Sequence, residues 1–316
     1  MLSIVVPCYN EEESIPLFLT EVEKIRKEFT HDVEYIFVND GSKDNTLEVL
    51  RKAHKRYPEC VRYLSFSRNF GKEAALYAGL KQAKGDLVTV MDADLQDPPE
   101  LLPEMIRLIE TEDYDCIGTR RSDRSGEPKI RSFFAKTFYK LINRIADTEM
   151  VDGARDFRLM TRQMVDAILE LSEYNRFSKG IFSWVGFKTK YLSFENRERV
   201  AGETSWSFWS LFKYSIDGIV NFSEAPLNIA SFVGALSCAG SLIAMLFIIV
   251  RALLHGDPTT GWPSLVCIIL FVGGLQLLCL GIIGKYIGKI FLETKKRPVY
   301  IVKETEKLLR NQIRGE

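Results

Sequence analysis

Three carboxylates and an amide crowd the segment Asp92-Ala93-Asp94-Leu95-Gln96-Asp97-Pro98. The preceding run, Leu87-Val88-Thr89-Val90-Met91, is short and largely apolar, the pattern of a buried strand. An open α/β sheet binds its ligand beyond the carboxyl ends of its strands, so the cluster stands where a site belongs. Carboxylates packed this closely repel one another unless a cation lies among them. Hard oxygen donors suit Mg²⁺ or Mn²⁺ bridging the phosphates of a nucleotide.

Two further polar loops follow apolar runs. Pro7-Cys8-Tyr9-Asn10-Glu11 closes the first and Asn39-Asp40-Gly41-Ser42-Lys43-Asp44 the second. The Asp40 carboxylate can accept a hydrogen bond from the N–H of a uracil-like base, and Glu11 can serve base or ribose hydroxyls. Asp-Gly-Ser alone is ordinary turn chemistry. Its placement opposite the Asp92 cluster gives it meaning. The chain has neither a GxGxxG fingerprint nor a GxxxxGK[ST] loop. Its three histidines are scattered and its six cysteines form no CxxC pair, which argues against zinc and for reduced, buried thiols.

These loops need a scaffold. Strands are expected at Leu2–Pro7, Val33–Asn39, Val61–Phe66, Asp86–Asp92 and Asp115–Thr119. Helices are expected at Glu11–Phe29, Asn45–Arg56, Gly71–Lys84 and Pro98–Glu110, with Asn10 capping the first and Pro98 and Pro99 in the first turn of the fourth. Such alternation means a Rossmann-like, mostly parallel sheet flanked by helices.

The far end of the chain differs in kind. Ile229–Val250 is uncharged, and Ser264–Gly284 has only Gln276 as a strongly polar residue. Each run covers roughly 30 Å as a helix, the thickness of a bilayer core. Two membrane helices are therefore expected at 229–251 and 264–287, which suggests that one substrate is a lipid. The loop between them opens on Arg251 and is otherwise free of basic residues, whereas nine basic against four acidic residues occur from Lys285 onward. The positive-inside rule then places the loop outside, with residues 1–228 and the basic tail 289–316 in the cytosol. Met1 leads straight into an apolar run with no cleavage signal, as a cytosolic start requires. Aromatic residues interleaved with cations near 132–146, and an aromatic-rich stretch near 205–222, suit helices lying in the lipid interface. Lys plus Arg and Asp plus Glu balance at 42 each, so overall charge does not point to nucleic acid.

Several of these motifs together resemble the family 2 glycosyltransferases with a GT-A fold. They are Val5-Val6-Pro7-Cys8-Tyr9-Asn10-Glu11-Glu12, Val38-Asn39-Asp40-Gly41-Ser42-Lys43-Asp44, Ser67-Arg68-Asn69-Phe70-Gly71-Lys72-Glu73 and the Asp92–Pro98 run. More narrowly the chain resembles the polyprenyl-phosphate glycosyltransferases, a group that includes bactoprenol glucosyltransferases and dolichol-phosphate mannose synthases. Asp156-Phe157-Arg158-Leu159-Met160, Lys179–Phe187 and Glu293–Pro298 fit the bactoprenol branch.

The resemblance implies an inverting, metal-dependent transfer of a hexose from a nucleotide sugar to the phosphate of a long polyprenol. The favoured pair is UDP-glucose and undecaprenyl phosphate. By the same resemblance Asp94 and Gln96, with Asp92 nearby, hold Mg²⁺ or Mn²⁺. Pro7, Tyr9, Asn10, Glu11, Asp40, Ser42, Lys72, Asp92 and Ala93 surround the nucleotide sugar, and Asp156 is an essential active-site carboxylate, as base or orienting group. Arg120, Arg131 and Arg199 are candidates for the acceptor phosphate or donor diphosphate, because guanidinium forks match phosphate oxygens. Arg121, Arg124 and Lys129 could form a headgroup patch. Glu203 and Thr204 lie in a loop that could close over the donor; Ser205-Trp206 follow where many relatives carry a basic residue. A homo-oligomer and a functional link to a lipid-sugar flippase are also expected. Other donors (GDP-mannose, UDP-N-acetylglucosamine, UDP-galactose, UDP-aminoarabinose) involve the same chemistry. A polymer synthase would need a QxxRW motif that the chain lacks. An inactive scaffold, associating through the weak Gly284/Gly288 GxxxG pattern, would have been free to lose the carboxylates.

Overall fold

β1 (Leu2–Cys8), β2 (Val33–Asn39), β3 (Val61–Phe66) and β4 (Leu87–Val90) are buried almost throughout. Strands covered by helices on both faces read as continuous apolar runs for this reason. A computed structural model describes residues 1–122, 140, 142–145, 151–195, 197, 216–255 and 261–307. β1 pairs in parallel with β2 and β4, and β2 with β3. β5 (Cys116–Arg121) does not lie next to β4, because β6 (Ala154–Thr161) is inserted between them, antiparallel to both. β7 (Thr189–Phe194) runs parallel to β5 at one edge, and β8 (Val302–Thr305) runs antiparallel to β3 at the other. The order is β7-β5-β6-β4-β1-β2-β3-β8. The chain order reverses between β1 and β4, the crevice where such sheets take ligands.

Alternate strand residues face opposite ways. Ile4 and Val6 meet α1 (Ser14–Ile25), α2 (Thr46–Arg56) and α4 (Leu102–Thr111) in one core layer. Val5, Val88 and Met160 meet α3 (Lys72–Gln82), α5 (Arg162–Glu170) and α6 (Ser178–Trp184) in the other. Close approach explains the alanine and glycine content of α3: a Cβ on Gly79 would overlap Val5 Cγ1.

Two local expectations are corrected. Asn10 does not cap α1, which begins four residues later; Asn10 is left-handed, with φ 57°, and its side chain bonds elsewhere. Pro99 opens a 3₁₀ turn, Pro99–Leu101, which leads into α4.

α7 (Ala225–His255) and α8 (Trp262–Thr294) are 31 and 33 residues long. Phe232, Leu246, Phe271 and Leu277 on them are 64–72% exposed. By length and composition both are long and apolar enough to cross a membrane, over Ala225–Ile248 and Ile268–Thr294. Helices apolar on all sides, with large side chains exposed, have the character of membrane-spanning segments.

The end of α8 is anchored to the rest of the chain. Glu293 accepts hydrogen bonds from the backbone N–H groups of Tyr174 and Asn175, both at 3.0 Å, and Lys289 reaches Asn175 Oδ1 at 3.3 Å and Asp217 at 3.2 Å. Within the segment expected as a basic tail, β8 joins the sheet. The Tyr300 ring stacks on Phe66 at 4.9 Å, and Glu304 takes a bidentate pair from Arg51 at 2.8 and 2.5 Å.

Candidate active site

The loops after β1 and β2 are laced together. Asn10 N–H donates to Ser42 Oγ at 2.9 Å, Lys43 N–H donates to Asn10 Oδ1 at 2.9 Å, and Glu11 N–H donates to Thr46 Oγ1 at 2.8 Å. Ser14 Oγ donates to Glu11 Oε2 at 2.6 Å. Gly41 sits at φ 62°, and a Cβ there would overlap the backbone of Arg68 and Asn69, so the turn needs glycine. Asp40 ties in a third loop, accepting from Phe70 N–H at 2.6 Å and Gly71 N–H at 2.9 Å. Burial pushes its carboxyl upward, and the two N–H donors oppose that. Pro7 and Tyr9 are half-buried beside these loops, and Ala93 is buried in the next.

A charged cluster lies where the C-terminal end of β4 meets the N-terminal end of β6. Lys72, the first residue of α3, bridges Asp92 at 2.7 Å and Asp156 at 2.6 Å. Burial alone would raise the Asp156 carboxyl; the Lys72 and Lys179 ammonium groups outweigh it and hold the acid well below the usual range. Burial likewise works against the Lys72 charge, but Asp156 and Asp92 keep it protonated far above the ordinary lysine range. Next to this bridge Arg155 holds Asp97 at 2.7 Å and comes within 4.0 Å of Asp92. Asp97 is 1% exposed and its Oδ2 has no hydrogen-bond partner. Burial pushes its acid upward despite Arg155.

The Asp92–Pro98 turn is tight. Leu95 adopts φ 55°, and Asp94 Oδ1 accepts Gln96 N–H at 3.1 Å while the residue is 3% exposed. Among the described residues no three His, Cys, Asp or Glu side chains form a cage for a metal. Mg²⁺ seldom needs one: it takes one or two carboxylates, with substrate phosphates and water completing the shell. Asp92, Asp94 and the Gln96 amide fit an ion brought in with a nucleotide.

Comparison with known proteins gives the family. The profile described as glycosyl transferase family 2 matches residues 3–169. The chain belongs to glycosyltransferase family 2. A prophage bactoprenol glucosyl transferase homolog of Escherichia coli (strain K12) is 41% identical over 306 residues, covering 97% of this chain and 99% of the relative. The SfII prophage-derived bactoprenol glucosyl transferase of Shigella flexneri is 42% identical, covering 97% and 98%. Among solved structures, a mannosyltransferase from Pyrobaculum calidifontis, in complex with GDP-Man and Mn2+, aligns with a TM-score of 0.47 at 14% identity, covering 90% of this chain and 86% of that one.

In this glycosyltransferase the arginines expected at phosphates divide. Arg120 turns to β7, its Nε donating to Ser193 Oγ at 3.0 Å, away from the cluster. Its neighbour Arg121, expected to form a headgroup patch, approaches Gln96 Oε1 at 3.5 Å. Strand alternation decides between them. Arg131 and Arg199 lie outside the described residues, as do Arg124, Lys129, Glu203, Thr204, Ser205, Trp206 and most of 132–146 and 205–222. Sequence reading missed Arg155 as the partner of Asp97. It also missed Arg158, 2% exposed with its guanidinium 3.7 Å from the Phe182 ring centroid. Their signal was alternation within Arg155–Arg158, visible only once that segment is known to be a strand.

Proposed function

We propose that the protein transfers glucose from UDP-glucose to polyprenyl phosphate, undecaprenyl phosphate in particular, at the cytoplasmic face of a membrane, with inversion at the sugar. The supporting observation is full-length similarity above 40% to chains named bactoprenol glucosyl transferase. The acceptor is a phosphate monoester, largely ionised at neutral pH because its second pKa is about 6. An acceptor oxygen forms the new bond to the anomeric carbon as the bond from that carbon to UDP breaks. The site must therefore orient two anions more than it must generate a nucleophile.

Asp92, Asp94 and Gln96 would hold Mg²⁺ or Mn²⁺, which supplies Lewis-acid neutralisation of the departing diphosphate. Lys72 fixes Asp92 and Asp156 in one arrangement. Asp156, held ionised, can take the proton of an acceptor that arrives singly protonated, or orient the groups around it. The loops carrying Pro7, Tyr9, Asn10, Glu11, Asp40, Ser42 and Ala93 form the nucleoside side. In this reading residues 1–228 and the C-terminus are cytosolic, α7 and α8 cross the bilayer, the enzyme is a homo-oligomer, and a flippase consumes its product.

The test is transfer from a panel of radiolabelled nucleotide sugars to undecaprenyl phosphate, with Mg²⁺, Mn²⁺ or EDTA. A lipid-extractable product from UDP-glucose that EDTA abolishes is the expected result. Preference for GDP-mannose, UDP-N-acetylglucosamine, UDP-galactose or UDP-aminoarabinose would reassign the donor. No lipid product from any donor would refute the reading.

A further inference from the structure

Lys179 is half-buried and, among the described residues, has neither a hydrogen bond nor an ion pair within salt-bridge distance. Its surroundings are fixed from two sides. Glu73, next to Lys72 at the start of α3, accepts the Ser178 backbone N–H at 2.9 Å and also the Ser178 hydroxyl, which pins the start of α6 beside the Lys72 bridge. On β6, Asp156 and Arg158 are two residues apart and share a face of the sheet. Arg158 lies over the Phe182 ring. Lys179 precedes Phe182 by three residues, one turn back on the same side of α6, a rise of about 4.5 Å. Asp156 precedes Arg158 by about 6.6 Å of strand. With Phe182 against Arg158, Lys179 is brought next to Asp156, and its charge is among those that hold Asp156 ionised.

Asp156 already receives Lys72 at 2.6 Å. The Lys179 ammonium has three donors, none of them taken up by an acceptor among the described residues. It also stands on a distinct side of the cluster. The loops that bind one another around Asn10 and Ser42 lie at the ends of β1 and β2. Lys179 instead follows the 174–176 loop, which Glu293 and Lys289 fasten to the end of α8. A half-buried cation beside the catalytic carboxylates, on the side of the membrane helix, is placed for an anion carried by a lipid.

We propose that Lys179 binds the phosphate of the lipid acceptor and positions it against the donor sugar next to Asp156. This assignment rests on the acceptor being a polyprenyl phosphate. A phosphate oxyanion is the chemistry Lys179 recognises; the donor diphosphate offers the same chemistry, and the experiment separates the two sources.

The full-length protein in detergent is compared with Lys179→Met and Lys179→Arg. The readouts are KM for undecaprenyl phosphate, binding of farnesyl phosphate in saturating UDP, Kd for UDP, and melting temperature. Lys179→Met is expected to raise the acceptor KM and weaken farnesyl phosphate binding by about tenfold or more, as loss of a charge-assisted contact does. UDP affinity and melting temperature should hold, and Lys179→Arg should restore most of the acceptor affinity. Unchanged acceptor KM and farnesyl phosphate binding in Lys179→Met would overturn the proposal while leaving polyprenyl phosphate as the acceptor. A loss of UDP affinity with unchanged acceptor KM would overturn it in favour of the donor diphosphate. If the wild-type enzyme transfers no sugar to undecaprenyl phosphate, the acceptor reading fails and this inference fails with it.

Discussion

Replacing Lys72 by methionine keeps most of the unbranched stem of the side chain and removes the charge that separates Asp92 from Asp156. Both carboxylates reach the same nitrogen, at 2.7 and 2.6 Å. Their oxygens therefore stand no more than about 5.3 Å apart, and two unit charges at that separation repel by about 3 kcal/mol at an effective dielectric of about 20. That repulsion amounts to about 2 pKa units, so in Lys72→Met one carboxylate of the pair takes up a proton more readily. The sign with pH then reverses. In the wild type Asp156 lies below its unfolded value, so its stabilising contribution is present above about pH 3.9 and is lost only as pH falls through the depressed folded value. In the variant the pair is raised, so the destabilisation is full near neutrality and fades as pH falls toward the unfolded value. Thermal unfolding at about pH 7.5 should show a loss of roughly 6–12 °C for a domain of this size, narrowing on acidification. Lys72→Met/Asp156→Asn should recover much of it. A variant melting within about 2 °C of wild type at neutral pH, a gap that widens in acid, or a double variant no better than the single would refute the account.

Three further outcomes follow from the same site and its supports. Asp94→Ala should abolish metal-stimulated transfer while the protein stays folded and membrane-bound; full activity would remove Asp94 from the site. Arg155→Met leaves Asp97, 1% exposed, as a buried carboxylate without its cation. That should cost about 3–5 kcal/mol by denaturant unfolding, with Asp97→Asn in the same chain restoring most of it. Glu304→Ala breaks the bidentate Arg51 pair and the Tyr63 hydroxyl bond at 2.9 Å that hold β8. It should lower stability by about 1–3 kcal/mol and expose the segment after Thr294 to limited proteolysis, and resistance equal to wild type would show that β8 is held by other contacts.

The parts of the fold that were legible in sequence share a physical cause. β1, β2, β3 and β4 are buried on both faces, so each appears as an apolar run ending in polar turn residues. α7 and α8 announced themselves by length without charge. β6 was hidden because its tip carries Arg155, Asp156 and Arg158, charges whose side-chain partners Asp97, Lys72 and the Phe182 ring come from distant segments. β8 was hidden because four residues with Lys303 and Glu304 read as a solvated tail until Arg51 and Tyr63 are placed opposite. In the site, Asp92, Asp156 and Lys72 were each recognisable as residues, but the bridge that joins them was not: Lys72 lies 20 residues from one carboxylate and 84 from the other. Asp40 shows the converse. It was read for its chemistry toward a base, and the fold also uses both its oxygens to fasten Phe70 and Gly71, the residues that lead directly into Lys72.

The cations at the end of α8 acquire a second meaning from their spacing. Lys285, Lys289 and Glu293 recur at four-residue intervals and so lie along one side of the helix. Positive charge after a membrane helix is ordinary orientation signal, but a signal alone would leave the lysines in solvent. Here both lysines pair with Asp217, and Lys289 and Glu293 also hold Asn175. The chain then turns back to add β8 beside β3 and to stack Tyr300 on Phe66, at the base of the loop that presents Lys72. The second apolar helix is thus fastened to the catalytic domain twice, once at the loop leading to Lys179 and once at the strand leading to Lys72. These are the two lysines whose charges hold Asp156 ionised. An anchor needs one covalent link. Two non-covalent fastenings that converge on the same carboxylate fix the position and orientation of the site with respect to the helix, which a flexible tether cannot do.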